Sequence, residues 1–145
     1  MITIDRPLPA ELDAERYILG ALIAFPECAP DVFSLLHAHD FLERGHQLIF
    51  EVFAKQHAAG GIDPMLAVAE LKKAPEFVND SPAGYIVGLV KDEAGRDRIA
   101  TRAHVPLEAA KIVDASKKRQ LYEIGESVVE AASNGHSAED VFRLL

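Results

Sequence analysis

Hydrophobic residues recur at helical spacing along most of the chain. The first segment predicts an amphipathic helix from about Glu11 to Phe25, because its apolar residues follow steps of three, four and seven positions. They are Leu12, Ile18, Leu19, Leu22 and Ile23. No segment alternates apolar and polar residues convincingly, as a half-buried strand would. The pattern therefore predicts an all-α fold.

Proline, glycine and short polar residues mark the ends of four further predicted helices. One opens at Pro30 and ends near residues 37–40, and the next spans about Arg44 to Ala59 before the Gly60–Gly61 pair. Two more open at cap-and-proline pairs. These pairs are Asp63–Pro64 and Ser81–Pro82.

A long helical stretch follows, from about Ile99 to Ser133, with a bend expected at Pro106 because proline removes a backbone donor. Asn134 and Gly135 end it, and a short helix then opens at Ser137. The predicted architecture is a compact multi-helix globule, residues 1–98, followed by a long helix and the start of a truncated helical hairpin, residues 99–145.

An apolar stripe runs along the second part of the long helix, at steps of three and four residues. It consists of Leu121, Ile124, Val128 and Ala131. A stripe on a protruding hairpin needs a second body to cover it, which favours another chain as partner. The alternative is that the stripe folds back onto the first helices as core.

Composition limits the classes of protein that fit. The chain has 145 residues, the size of one ordinary domain, and no apolar run approaches the roughly 18 residues of a membrane span. Residues 1–6 lack the pattern of a secretory signal, so the chain is expected in the cytoplasm. The single cysteine, Cys28, excludes an internal disulfide and a cysteine-rich zinc site.

The charge balance argues against nucleic acid as a direct ligand. The chain has 15 Lys and Arg against 23 Asp and Glu, a formal net charge of −8, which repels phosphate backbones. No phosphate-binding loop motif occurs, so nucleotide hydrolysis within this chain has no support. These features favour a protein-binding module without a cofactor.

Few residues suggest chemistry. His37, His39, Asp40 and His46 form the only His and carboxylate cluster, for which helix-end polar residues are a better interpretation than a metal site or an enzyme. Cys28 has no catalytic context and is interpreted as a buried or loop thiol.

Charged groups elsewhere are interpreted as solvated. The basic run 117–119, with upstream arginines at 96, 98 and 102, could form a local basic patch, but a solvated helix face is favoured. The neighbouring pairs Glu15 with Arg16 and Glu43 with Arg44 are likewise interpreted as surface charge.

Five segments, in order, carry a resemblance to a known family. They are residues 9–15 with 18–22 (PAELDAE and ILGAL), 40–41 with 46–50 (DF and HQLIF), 61–63 with Val68 and Leu71, 84–86 (GYI) with Leu89, and 110–113 (AKIV) with Lys117, Arg119 and Leu121. Together they resemble the N-terminal domain of the DnaB-type replicative DNA helicases. The sequence departs from the family pattern at Ala67–Val68, at Ala83–Gly84 and at Pro106.

The resemblance implies a non-catalytic domain that pairs through its hairpins into a collar, a trimer of dimers above the motor ring. It implies the C-terminal domain of a DnaG-type primase as a partner, and a helicase loader is a further candidate. ATP and Mg²⁺ would belong to a RecA-like motor, which does not follow Leu145 in this sequence.

The partner-binding residues that the resemblance and the apolar pattern suggest lie mainly on the hairpin. They are Tyr85, Leu121, Tyr122, Val128 and Phe142. An alternative function is a stand-alone adaptor or loader that mimics the collar and binds a helicase in trans.

Overall fold

A computed structural model describes residues 8–77 and 81–145, and the described residues form seven α-helices. In chain order they are α1 (Leu12–Ala24), α2 (Ala29–Leu35), α3 (Arg44–Ala59), α4 (Pro64–Leu71), α5 (Pro82–Val90), α6 (Val105–Ser133) and α7 (Ala138–Phe142). Three 3₁₀ turns, Pro26–Cys28, Ala38–Asp40 and Pro75–Phe77, lie between them. This described part contains no β-strand, and its isolated extended pairing is a bridge between Lys91 and Asp97. The prediction of an all-α fold is confirmed.

Local capping chemistry explains the helix ends that the sequence predicts well. The Asp63 carboxylate accepts hydrogen bonds from the backbone N–H groups of Met65 and Leu66, at 3.0 and 3.2 Å. The Ser81 hydroxyl accepts one from the N–H of Gly84 at 3.1 Å. Gly60 ends α3 with a φ of 135°, which a residue with a β-carbon adopts only under strain.

The predicted start of the long helix is wrong. The helix begins at Val105 rather than at Ile99, and Pro106 lies in its first turn. The first-turn N–H groups of a helix have no partner within the helix, so proline costs nothing there and no bend is needed. The preceding segment is held in place at Thr101, whose carbonyl accepts a hydrogen bond from the Tyr17 hydroxyl at 2.7 Å.

The core forms around α1, which packs against α3, α5 and the first half of α6. Its largest fully buried apolar side chains come from several elements. They are Ile18, Leu19 and Leu22 of α1, Val32, Leu36 and Phe41, Ile49 and Phe53 of α3, Leu71 of α4, and Ile112 of α6. The core thus continues past residue 99, through Ile99, Val105 and Ala109. The division of the chain into residues 1–98 and 99–145 stays a prediction.

No single helix in the described part is both long and apolar enough to cross a membrane. Leu12–Ala24 and Pro26–Leu35 reach that length and composition only as a pair bent by 114°. Residues 1–6, on which the expectation about a secretory signal depends, lie outside the described residues.

Candidate interaction surface

Helix α6 has two halves with different surroundings. Its first half is core: Val105, Ala109, Ile112, Ala115 and Ser116 are buried. From residue 117 to the end of the chain, which the structure describes throughout, no residue is buried. The alternative that the apolar stripe is core of the same chain therefore fails for 121–131.

We call the residues Leu121, Ile124, Val128 and Phe142 the hairpin surface. Leu121 is 66% exposed, Ile124 48% and Phe142 70%, whereas Val128 is half-buried. Leu121 follows the buried Ile112 by nine positions, which at about 100° per residue places it on the opposite side of the helix. The apolar stripe therefore faces away from the globule.

Tyr122 lies next to this stripe and is half-buried. Together with Pro9, Lys118, Leu121 and Gly125 it lines a shallow, mostly apolar depression of about 550 Å³. The depression joins the N-terminal segment of the globule to the hairpin surface. A small apolar side chain of a partner would fit there.

Arg119 corrects the interpretation of the basic run as a solvated face. Its guanidinium donates two hydrogen bonds to backbone carbonyls, those of Pro9 at 2.8 Å and Asp40 at 2.7 Å. Lys118 pairs with Asp114 one turn earlier at the surface. Arg119 thus fixes the end of the packed half of α6 to two distant parts of the globule.

Glu15 is also not the surface charge that the sequence suggests, because it is buried with only 1% exposure. Its carboxylate accepts hydrogen bonds from the backbone N–H groups of Leu42 at 2.8 Å and Glu43 at 3.3 Å. The Nδ1 atom of His46 lies 2.8 Å from the same carboxylate. A buried carboxylate is stable only with such donors around it, and these three provide them.

The other nitrogen of His46, Nε2, is hydrogen-bonded to the hydroxyl of Tyr85. His46 is as buried as Glu15, whereas Tyr85 is 37% exposed. Partial burial raises the pKa of the Tyr85 hydroxyl above its ordinary value, and Arg16 opposes that rise. The chain Glu15–His46–Tyr85 therefore joins α1, α3 and α5 from the interior to the surface.

Tyr85 separates two open grooves on the globule. One, of about 520 Å³, lies between α1 and α5 and includes Arg16, Tyr17 and Arg98 in its walls. The other, of about 900 Å³, extends past Arg44 to Phe77. Of the predicted partner-binding residues, the structure brings Leu121 and Tyr122 together and places Tyr85 apart from them on the globule.

The histidine cluster does not form a metal site in the described part of the chain, where no group of three or more His, Cys, Asp or Glu side chains could hold an ion. His37 and His39 stack on one another at the surface, with ring centroids 5.5 Å apart. His46 lies elsewhere, with both ring nitrogens engaged. Cys28 is a buried thiol, in agreement with its interpretation from the sequence. Its Sγ atom lies 3.6 Å from the carbonyl oxygen of Ala21.

Sequence reasoning missed Glu15 and Arg119. A signal for Glu15 exists, because it lies on the apolar stripe of α1, three positions after Leu12 and four before Leu19. A carboxylate at a core position needs buried donors. No comparable signal marks Arg119, whose partners are 79 and 110 residues away.

Comparison with known proteins agrees with this architecture. The family described as DnaB-like helicase N terminal domain matches residues 7–105, more than half of the chain. The chain therefore belongs to the family of DnaB-like helicase N-terminal domains.

Individual relatives point the same way. Replicative DNA helicase DnaB of Rickettsia prowazekii is 30% identical over 139 residues, which is 94% of this chain and 27% of that protein. The helicase of Geobacillus stearothermophilus is 25% identical over 142 residues, 97% of this chain and 29% of that protein. The chain thus spans about a quarter of the length of these relatives.

A solved structure shares the fold. The crystal structure of the N-terminal domain of DnaB helicase from Mycobacterium tuberculosis superposes with a TM-score of 0.78 at 25% sequence identity. The match covers 95% of each chain. The relation therefore includes the hairpin region as well as the globule.

Proposed function

We propose that this chain is a non-catalytic collar domain of a replicative helicase, which mediates self-association and recognises a primase. The observation that carries the proposal is the hairpin surface, an apolar stripe that faces away from the globule. Apolar side chains at this exposure and helical spacing are typical of a surface that packs on another helix.

Self-association is the first part of the proposal. A second copy of α6 and α7 offers the same stripe, so two copies can cover each other in a two-fold arrangement. Six copies in a ring would form a trimer of dimers, as the family resemblance implies. Association of this kind depends on concentration.

Sedimentation of the 145-residue chain over a range of concentrations tests self-association. Leu121→Glu and Val128→Glu are expected to weaken the dimer by about tenfold or more, because each places a charge in an apolar contact. Ser133→Glu adds the same charge to an exposed position of α6 that lies about 140° around the helix from Val128, and it serves as the control. A wild-type chain that stays monomeric at high concentration would refute this part.

Primase recognition is the second part. The candidate contacts are the predicted partner-binding residues, with Tyr122 beside the apolar depression and Tyr85 between the two grooves. Aromatic residues that expose a ring edge and carry a polar tip are frequent in the centres of interfaces.

Titration of the chain with the C-terminal domain of a DnaG-type primase from the same cells tests recognition. Tyr122→Asp is expected to lower the affinity by about tenfold while the helical circular dichroism stays unchanged. An unchanged affinity would show that Tyr122 does not contact the primase. The size of the native gene product in its source cells distinguishes a collar domain of a longer helicase from a stand-alone adaptor.

We further propose that the chain acts in the cytoplasm and needs no cofactor of its own. ATP and Mg²⁺ would be used by a motor domain in a longer protein. The support is the similarity to replicative helicases over about a quarter of their length.

A further inference from the structure

The direction of hydrogen bonding along the buried chain Glu15–His46–Tyr85 depends on the surroundings of the Glu15 carboxylate. Two backbone N–H groups point at the Glu15 carboxylate, from Leu42 and Glu43, which is the environment of an ionised acceptor. An ionised carboxylate can only accept, so the facing nitrogen of His46, Nδ1, carries a hydrogen.

The hydrogen-bonding role of the second ring nitrogen, Nε2, follows from that of Nδ1. In a singly protonated imidazole with its hydrogen on Nδ1, Nε2 is an acceptor. In a ring that carries this hydrogen alone, the Tyr85 hydroxyl donates its own hydrogen inward to Nε2. With that hydrogen used, the Tyr85 oxygen presents only lone pairs to the grooves.

We propose that Glu15 and His46 are positioning residues that hold the Tyr85 hydroxyl as a hydrogen-bond acceptor toward its partner. The partner group that meets Tyr85 is then a donor, such as a backbone N–H, an amide or a cationic side chain. This inference rests on the proposed role of Tyr85 in partner binding, and it adds the chemistry that the partner must supply.

A second hydrogen on His46 would reverse the direction of the hydrogen bond between Nε2 and the Tyr85 hydroxyl. A doubly protonated imidazole donates from both nitrogens, so the Tyr85 oxygen accepts from Nε2 and its hydrogen turns outward. A donor on the partner would then face a donor.

Charged and titratable groups surround this chain on every element that packs against it. They are Asp13, Glu15 and Arg16 on α1, Glu43 and Arg44 at the start of α3, Glu76 on the 3₁₀ turn before α5, Tyr85 itself, and Arg98 after α5. Arg16 lines both grooves next to Tyr85, and its guanidinium donates a hydrogen bond to the Asp13 carboxylate at 2.9 Å.

The state of the imidazole can be measured on the 145-residue chain without a partner. Long-range ¹H–¹⁵N correlation spectra at pH 7.5 are expected to show hydrogen on Nδ1 of His46 and none on Nε2. A hydrogen on Nε2, in a singly or a doubly protonated ring, would overturn the proposal. This measurement stands even if no primase binds, so it separates the failure of the positioning role from the failure of the proposed function.

The consequence for binding is tested with the primase C-terminal domain as the probe. Tyr85→Phe keeps the ring and removes the hydroxyl, and it is expected to weaken binding about five- to tenfold at pH 7.5. A Tyr85→Phe affinity equal to that of the wild type would contradict the role of the hydroxyl.

His46→Phe tests whether the histidine acts through the tyrosine. The substitution keeps an aromatic ring at the site but removes both hydrogen bonds, and circular dichroism checks that the chain still folds. In this background Tyr85→Phe is expected to change affinity by less than about twofold, because the hydroxyl is no longer oriented. An undiminished effect of Tyr85→Phe would mean that His46 has a structural role only.

Discussion

Gly20 of α1 lies directly against Ile99, the residue that leads from the globule toward α6. A β-carbon on Gly20 would lie 2.3 Å from the Cδ1 atom of Ile99 and 2.6 Å from the carbonyl oxygen of Leu89. Both distances are far below van der Waals contact. The close packing of α1 with α5 and with this segment therefore depends on the absence of a side chain at position 20.

Gly20→Ala is expected to lower the free energy of unfolding by about 1–3 kcal/mol, because the carbonyl of Leu89 belongs to the backbone and cannot rotate away. Urea denaturation followed by circular dichroism measures the change. Gly88→Ala is the matched control, since a β-carbon there meets nothing within 4 Å on an exposed face of α5. That variant is expected to be neutral or slightly stabilising. Equal losses in the two variants would contradict the close-packing argument.

Arg119→Lys is expected to lower the free energy of unfolding by about 1–3 kcal/mol. One ammonium group cannot replace a planar guanidinium that reaches the carbonyls of Pro9 and Asp40 together. Lys118→Ala removes the neighbouring surface charge and its pair with Asp114, and it is expected to change stability by less than about 0.5 kcal/mol. Thermal or urea denaturation compares the two, and a larger loss in Lys118→Ala would reject the assigned role of Arg119.

The helix ends and Pro106 show which parts of the fold could be predicted from the sequence and which could not. Helix ends are local: Asp63, Ser81 and Gly60 act on backbone groups a few positions away, so their chemistry is visible in the sequence itself. Pro106 was ambiguous in the sequence, because the same residue bends a helix from within or opens one at its first turn. The structure places Pro106 in the first turn of α6, after a segment that the Tyr17–Thr101 hydrogen bond joins to α1.

The candidate interaction surface also has a part that could be predicted from the sequence and a part that could not. Leu121 and Phe142 could be selected because apolar residues at helical spacing beyond the globule have no local partner. The contacts of Tyr85 could not, since His46 is 39 residues away and Glu15 is a further 31 residues from His46. Pairings at that distance depend on how three helices meet. A single sequence contains no record of that geometry.

Alkaline pH is expected to destabilise the fold. Burial is the main cause that raises the pKa values of Cys28, Tyr17 and Tyr85 above their ordinary values of 9.0, 10.0 and 10.0. The unfolded chain then loses these protons at lower pH than the folded chain does. Stability from these groups is fully present below about pH 9 and is lost as the pH rises through the folded-state pKa values.

Urea denaturation at intervals between pH 8 and pH 10.5 measures this loss. Tyr17→Phe, which also gives up the hydrogen bond to Thr101, is expected to be less stable at pH 8 but to lose less stability on the way to pH 10.5 than the wild type. The wild-type and variant curves should therefore converge. Curves that stay parallel would show that Tyr17 ionises alike in both states.

Truncation distinguishes the two halves of α6. A chain of residues 1–120 retains every buried residue of α6, up to Ser116, and it retains Arg119 with its two carbonyl partners. A chain of residues 1–98 loses Ile99, Val105, Ala109 and Ile112 from the core. Burial of such side chains contributes roughly 1.5–3 kcal/mol for each large one, which is a substantial part of the stability of a domain of this size.

The 1–120 chain is therefore expected to unfold cooperatively, with a midpoint within a few degrees of the full chain. It is expected to be monomeric because the whole hairpin surface, from Leu121 onward, is absent. The 1–98 chain is expected to lose its cooperative transition and the dispersion of its amide resonances. Thermal denaturation with heteronuclear NMR spectra measures both, and sedimentation measures the oligomeric state. A 1–98 chain that still melts cooperatively would show that α6 is dispensable for the core and that residue 99 is a true domain boundary. A dimeric 1–120 chain would move self-association away from the hairpin.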